Sequence, residues 1–243
     1  MTATPPTDPA AALAAFAITD RWPPRDPSAI QLYSFPTPNG VKVSIALEEL
    51  GLRYDAHKVD IRSGDQTTPE FLSLNPNNKI PAIIDPAGPD GRPMALWESG
   101  AILIYLAEKT GRLVPADAAG RYEVLQWLMF QMGGVGPLFG QLGFFYALGG
   151  RDIEDPRPRE RYIAEASRLL QVLEARLQGR EWVAGDCFSI ADIALAPWVR
   201  SLRDFYKAGE VTGLDRLSHV PAWLTRFLDR PAVQRGLVQP TRD

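Results

Sequence analysis

The chain has 243 residues, enough for two domains with sizeable cores, and 45% hydrophobic against 23% charged residues marks a globular protein. A net charge of −3 gives no basic excess and argues against nucleic acid as the main partner. A single cysteine, Cys187, excludes an intrachain disulfide and fits a reducing, cytoplasmic compartment; with only His57 and His219 beside it, no familiar zinc spacing can be built.

Residues 1–30 are rich in Pro, Ala and Thr and read as a partly disordered extension, poorly ordered at least to Pro9. The Ala-rich stretch in it lacks the basic flank of a signal peptide. No apolar run approaches the roughly 20 residues that span a bilayer. From Gln31 the pattern alternates. QLYSF is β-like, and the turn SFPTPNG leads into VKVSIALEELG, a helix apolar at Val41, Val43, Ile45, Leu47 and Leu50 and ended by Gly51. RYDAHKVDI is a strand with Tyr54, Ala56 and Lys58 set against Asp55, His57 and Val59. IRSGDQTTPEFLSLNP is a loop and a short helix. KIPAIID is a strand with a proline inside, joined to MALW through a turn at Gly88–Gly91. ESGAILIYLAEKTG closes the half as a buried helix ending at Gly111. The order β-α-β-α-β-β-α over residues 31–112 describes one α/β layer domain.

A linker at 113–118 leads to residues 119–243, where no strand is legible from Arg121 onward. RYEVLQWLMFQM is helical until GGVGP, Gly133 to Pro137, which must kink or end it. RERYIAEASRLLQVLEARL carries an apolar stripe of Tyr162, Ala166, Leu169, Leu173 and Leu177. SIADIALAPWVRSLRDF and VPAWLTRFLDR follow as further helices, so this half is all-α.

Three short segments bear on chemistry. In IPA, a proline within a strand removes a ladder donor and belongs at an edge or beside a bound chain. Pro81 is also a place for a cis peptide, and Ile80 could offer its backbone to an extended ligand. In WESGAI, Glu98 and Ser99 stand where a strand meets a helix. The helix start favours a carboxylate, so Ser99 with the backbone could take a ligand carboxylate while Glu98 takes its amino group; the pair is equally a helix cap. In SIAD, Ser189 and Asp192 form a capping box, worth about 1 kcal/mol to folding and nothing to chemistry.

Taken together, PTPNGVKVSIALEE, PEFLSLNPNNKIPAIID, WESGAILIYLAEKTG, LQWLMFQMGGVGPLFGQ and FSIADIALAPWV resemble a bacterial nu-class glutathione transferase, a group related to the fungal nitrogen-regulator prion protein. The likeness runs from Gln31 to Pro231 in order. It implies a thioredoxin-like N-terminal domain, an all-helical C-terminal domain and a homodimer. It also implies that Thr37 and Asn39, in TPN, stabilise the thiolate of bound glutathione, where other classes use Tyr, Ser or Cys. A hydroxyl and an amide at a helix N-terminus can hold a sulfur anion without a base, and Pro36 and Pro38 would stiffen the turn that aims them. Tyr33 and Ser34 are rival thiol partners.

By the same resemblance Gln66 contacts glutathione. Ile80 clamps its cysteinyl part through the backbone, with Pro81 the expected cis residue. Glu98 and Ser99 hold the γ-glutamyl end, and Arg161, about 100° off the apolar stripe of its helix, reaches the site from the helical domain. Lys79 could add charge or lie in plain solvated loop, and is not counted among the site residues. Phe144, Phe145 and Tyr146 could line an acceptor pocket or pack in the core. Cys187 reads as core. The implied activity is glutathione-dependent thiol–disulfide exchange, with one or two glutathione molecules per site as co-substrate and no metal. The alternatives are conjugation of glutathione to an electrophile, cleavage of a thioether, or a glutathione-binding regulatory protein with weak catalysis.

Overall fold

The computed structural model describes residues 8–185 and 187–241. They form two compact units, one running through Leu106 and taking in the stretch from Ala232, the other Ala107–Pro231.

The first unit opens with two short helices, α1 (Pro9–Leu13) and α2 (Ile18–Arg21). The Asp8 carboxylate accepts the Ala10 N–H at 3.0 Å, and Pro9 sits in the first turn, where its missing N–H costs nothing. Leu13 and Ile18, with Phe16 and Trp22, pack onto Tyr33, Val59, Phe71, Ala82 and Ile84. The expectation of a poorly ordered leader reaching Pro9 is therefore corrected from Asp8 onward; the residues before it lie outside those described. Helices this short are unstable alone. Burying their apolar side chains on a sheet face supplies what their composition lacks.

The expected alternation follows: β1 (Ile30–Ser34), α3 (Gly40–Leu50), β2 (Tyr54–Lys58), α4 (Pro69–Leu74), β3 (Ala82–Asp85), β4 (Met94–Trp97) and α5 (Ser99–Thr110). The sheet order is β2-β1-β3-β4, with β1 parallel to β2 and the other pairs antiparallel. Leu32 faces Ala56 on one side and Ile83 on the other. Every residue of β1 and β3 is buried, as interior strands covered on both faces require. β3 is thus not an edge strand, contrary to the reading of Pro81. The proline is tolerated because it precedes Ala82, the first residue of the ladder.

β2 buries Asp55 and His57 and leaves Tyr54, Ala56 and Lys58 half-exposed. The polar side chains are the inward ones because each has a partner. Asp55 accepts from the Arg25 backbone N–H at 2.6 Å and from its guanidinium Nε at 2.7 Å. The His57 ring stacks on Tyr33 at 4.7 Å and meets Gln31 Oε1 at 2.8 Å. At the other end of the chain, the Ser44 hydroxyl donates to the Gly236 carbonyl at 2.6 Å. A Cβ on Gly236 would lie 2.6 Å from the Ile45 backbone, so only glycine permits this approach.

Among its described residues, the regular structure of the second unit is helical apart from an isolated bridge between Trp182 and Gly185. α6 (Ala118–Phe130) does not stop at the glycines: a π-type turn, Gln131–Val135, carries it into α7 (Gly136–Ala147). The wider turn absorbs the Gly-Gly-Val-Gly-Pro sequence without breaking the helix. α8 (Arg157–Leu177) buries Ala166, Leu169, Leu170, Leu173 and Leu177. α9 (Ile190–Arg200) begins at the expected capping box, and α10 (Gly209–Thr212) and α11 (His219–Leu228) follow; α12 (Pro231–Gly236) belongs, from Ala232 on, to the first unit. Asp192 does more than cap. Its carboxylate also accepts from the Val183 N–H and the Trp223 indole, each at 2.9 Å, so one buried side chain joins three segments. Cys187 is exposed rather than core, which corrects the sequence reading.

Candidate active site

The turn between β1 and α3 is built by Thr37. Its carbonyl accepts the Val41 N–H at 3.0 Å and its hydroxyl oxygen accepts the Gly40 N–H at 3.1 Å. The side chain therefore caps the helix, and that bond leaves the hydroxyl proton to be donated elsewhere. Asn39 is already helical, at φ −80° and ψ −38°. Gly40 is required: a Cβ there would sit 1.9 Å from the Phe35 carbonyl oxygen. The turn thus sets Asn39 in the first helical turn, where the macrodipole favours negative charge.

Beside it lies a cavity of about 140 Å³, lined by Asn39, Ile80, Pro81, Glu98 and Ser99 together with Asn75 and Lys79. Each wall has a local cause. The Ile80–Pro81 peptide is cis, and the Ile80 backbone N–H and C=O make no hydrogen bond among the described residues. Glu98 takes a positive φ of 72°, a strained conformation for a non-glycine residue, at the corner between β4 and α5. Its carbonyl accepts the Ile102 N–H at 2.9 Å, so α5 starts at the cavity with Ser99. Ser99 is only 3% exposed and accepts from Lys42 Nζ at 3.3 Å.

Asn75 and Lys79 were not read from the sequence as site residues. Asn75 is buried; its amide donates to the Lys79 carbonyl at 2.6 Å, and its side-chain oxygen accepts the Asn77 N–H at 2.9 Å. It closes the turn that delivers Ile80. The signal lay in NPNNK, an Asx-turn sequence next to the proline, which read only as loop.

The structure does not bring every expected residue to this cavity. Thr37 is not among the lining residues. Gln66 occupies a 3₁₀ turn, Asp65–Thr67; its amide reaches the Ile61 carbonyl at 3.5 Å, and its side-chain oxygen is enclosed with no hydrogen-bond partner among the described residues. Tyr33 is fully buried on the sheet face that α1, α2 and α4 cover, and Ser34 is buried as well. Neither is open to a ligand thiol, so both rivals fall away. In the second unit Arg161 is exposed in the second turn of α8. Phe144, 44% exposed, meets Phe145 edge-on, and Phe145 stacks on Tyr162 at 5.5 Å; Tyr146 is half-buried. Among the described residues no group of His, Cys, Asp and Glu could hold a metal ion.

The arrangement offers a helix start with an amide, an unengaged strand-like backbone, and a carboxylate beside a serine at a second helix start. Such a set can hold an extended peptide by its backbone and a zwitterionic end by its charges.

Two family models match the chain: glutathione S-transferase, N-terminal domain, over residues 28–108, and glutathione S-transferase, C-terminal domain, over residues 151–231. The chain belongs to the glutathione S-transferase family. It is 44% identical over 211 residues to the disulfide-bond oxidoreductase YfcG of Escherichia coli K12, covering 86% of this chain and 95% of that protein. Among solved structures it is similar to a glutathione transferase from Burkholderia graminis with two glutathione molecules bound per subunit. Identity is 64% and the TM-score 0.94, with 95% of this chain and 96% of that one covered. It is likewise similar to a glutathione transferase from Pseudomonas putida with one glutathione disulfide bound per subunit, at 58% identity and a TM-score of 0.92, covering 94% and 99%.

Proposed function

We propose that this glutathione S-transferase family member is a glutathione-dependent thiol–disulfide oxidoreductase. The observation that carries the reading is the meeting of Asn39, Ile80, Pro81, Glu98 and Ser99 around one cavity. Likeness to a disulfide-bond oxidoreductase and to transferases holding two glutathiones or one glutathione disulfide supports it.

In this reading Glu98 and Ser99 hold the γ-glutamyl end and the Ile80 backbone pairs with the cysteinyl part. Gln66 and Arg161 add contacts, and Phe144, Phe145 and Tyr146 shape the acceptor side. Thr37 and Asn39 act on sulfur. A thiol with a pKa of about 8.5 is only a few per cent ionised at neutral pH. The Thr37 hydroxyl proton and the Asn39 amide, in the field of the α3 N-terminus, stabilise the anion and raise that fraction. The thiolate then attacks one sulfur of a disulfide; a new S–S bond forms, the old one breaks, and the other sulfur leaves as thiolate. No sulfur of the protein takes part. A homodimer acting in the cytoplasm belongs to the same proposal.

The test is steady-state turnover of 2-hydroxyethyl disulfide with glutathione, alongside conjugation of a chloronitrobenzene. Wild type should turn over the disulfide faster. Thr37→Ala with Asn39→Ala should slow it at least about tenfold, equivalent to about 1.4 kcal/mol. Wild-type rates in the double variant would refute the roles of both residues. Faster conjugation would select the transferase alternative, and binding without turnover in either assay would select a regulatory protein.

A further inference from the structure

The first unit contains a buried cation that the exchange chemistry does not use. Lys42 lies on α3, three residues and a little under one turn beyond Asn39, and is 0% exposed. Its ammonium donates to Ser99 Oγ at 3.3 Å, and Ser99 lines the cavity, while Lys42 itself does not. A lysine is among the least expected residues in a fully buried position, and its cost calls for compensation.

We propose that Lys42 is a positioning residue that sets Ser99 as a hydrogen-bond donor toward the ligand's carboxylate, so that binding of the γ-glutamyl end takes up a proton. The inference rests on the glutathione reading above. A hydroxyl has one proton and two lone pairs. When the Lys42 ammonium occupies a lone pair of Ser99, the serine proton points to another acceptor, and a carboxylate in the cavity is suited to receive it. When Lys42 is neutral, its amine can accept the serine proton instead. Ser99 then turns lone pairs toward the carboxylate and repels it. The charge under Ser99 also adds to the positive end of α5.

The surroundings make this proton responsive near neutrality. Burial pulls Lys42 down to about 7, against the opposing pull of the Glu98 carboxylate across the corner. Lys79 lines the same cavity as Ser99 and is a second cation there, and two further charged groups on the packed elements are paired. Glu48, further along α3, pairs with Arg235 of α12 and accepts from Tyr54 of β2, and Asp85 of β3 accepts from Tyr105 of α5. A carboxylate bound at Ser99 adds a negative charge nearby, which favours the ammonium. Linkage then requires net proton uptake on binding and weaker binding as pH rises through the Lys42 titration.

The probe is S-methylglutathione, whose blocked thiol cannot titrate. Calorimetry at pH 7.5 in phosphate and in Tris, which differ in ionisation enthalpy, reads the protons exchanged. Wild type should take up about half a proton or more per site. Lys42→Met should abolish the uptake and bind at least about tenfold more weakly, with a melting temperature at or above wild type, because a buried charge has been removed. Lys42→Arg, which keeps a charge that does not titrate here, should bind without proton uptake, and it serves if the methionine variant fails to fold. Wild-type binding with no proton uptake, or Lys42→Met binding as tightly as wild type, would overturn the assignment. Failure of wild type to bind at all would instead bring down the glutathione reading, and the Lys42 role with it.

Discussion

At the scale of single residues, burial decides protonation more than sequence neighbours do. His57 stands 3.7 Å from Asp55, yet the two do not form an ion pair at neutral pH. Burial pulls His57 down to about 4, outweighing the attraction of Asp55, while the guanidinium of Arg25 lowers it further. The Gln31 amide donates to the carbonyls of Asp26 and Ala29, so its oxygen faces His57, and the imidazole donates from Nε2. A folded pKa below the unfolded value near 6.5 means that the unfolded chain binds the extra proton first. The stability from neutral His57 is therefore complete above about pH 6.5 and is lost as pH falls toward 4. The loss should reach about 2 kcal/mol by pH 5. Denaturant titrations from pH 7 to 5 should show this fall in wild type and a flatter profile in His57→Phe, which keeps a ring against Tyr33. Parallel profiles would show that His57 does not govern the acid limb.

At the scale of elements, the leader acts as a strap. The Trp22 indole donates to the Lys58 carbonyl at 2.9 Å, and its ring meets Tyr33 and Phe71 edge-on. Arg21 pairs with Asp65 at 2.7 Å, and the other Asp65 oxygen accepts the Asp60 N–H at 2.9 Å. The strap thus grips the turn that carries Gln66. Arg21 is half-exposed, so the ion pair alone contributes little; the packing of Trp22 is the larger share. Trp22→Ala should cost about 3 kcal/mol in denaturant unfolding and speed amide exchange across residues 60–68. Unchanged exchange there would separate the strap from the Gln66 turn. None of this was legible in the sequence. Leu13, Ile18 and Trp22 are spaced too irregularly for a helical period, and their shared face exists only once the sheet does. The strands and long helices were legible because their apolar residues repeat along each element. The edge reading of Pro81 failed because strand order is a long-range property. Lys42 was passed over because a lysine within an apolar helix reads as a solvated interruption, whereas its bond to Ser99 spans 57 positions.

At the scale of the molecule, the site residues that line one cavity come from three separate stretches: the start of α3, the turn before β3 and the start of α5. The first and third were legible as strand-to-helix corners, the second through its proline. What they hold had to come from family resemblance, because backbone donors and neutral side chains leave no catalytic signature in a sequence. The chain's one thiol is Cys187, in the second unit, exposed. Exposure permits oxidation, so a protein thiol could in principle enter the exchange. The proposed chemistry argues against it, because in that reading the ligand supplies the sulfur and Thr37 and Asn39 stabilise it. Cys187→Ser should therefore keep disulfide turnover within about twofold of wild type. With glutathione bound at neutral pH, the variant should still show thiolate absorbance in the ultraviolet, and that absorbance should fall when Thr37 and Asn39 are replaced by alanine. Loss of turnover in Cys187→Ser, together with a mixed disulfide on the wild-type protein by intact mass, would move the nucleophile from the ligand to the chain.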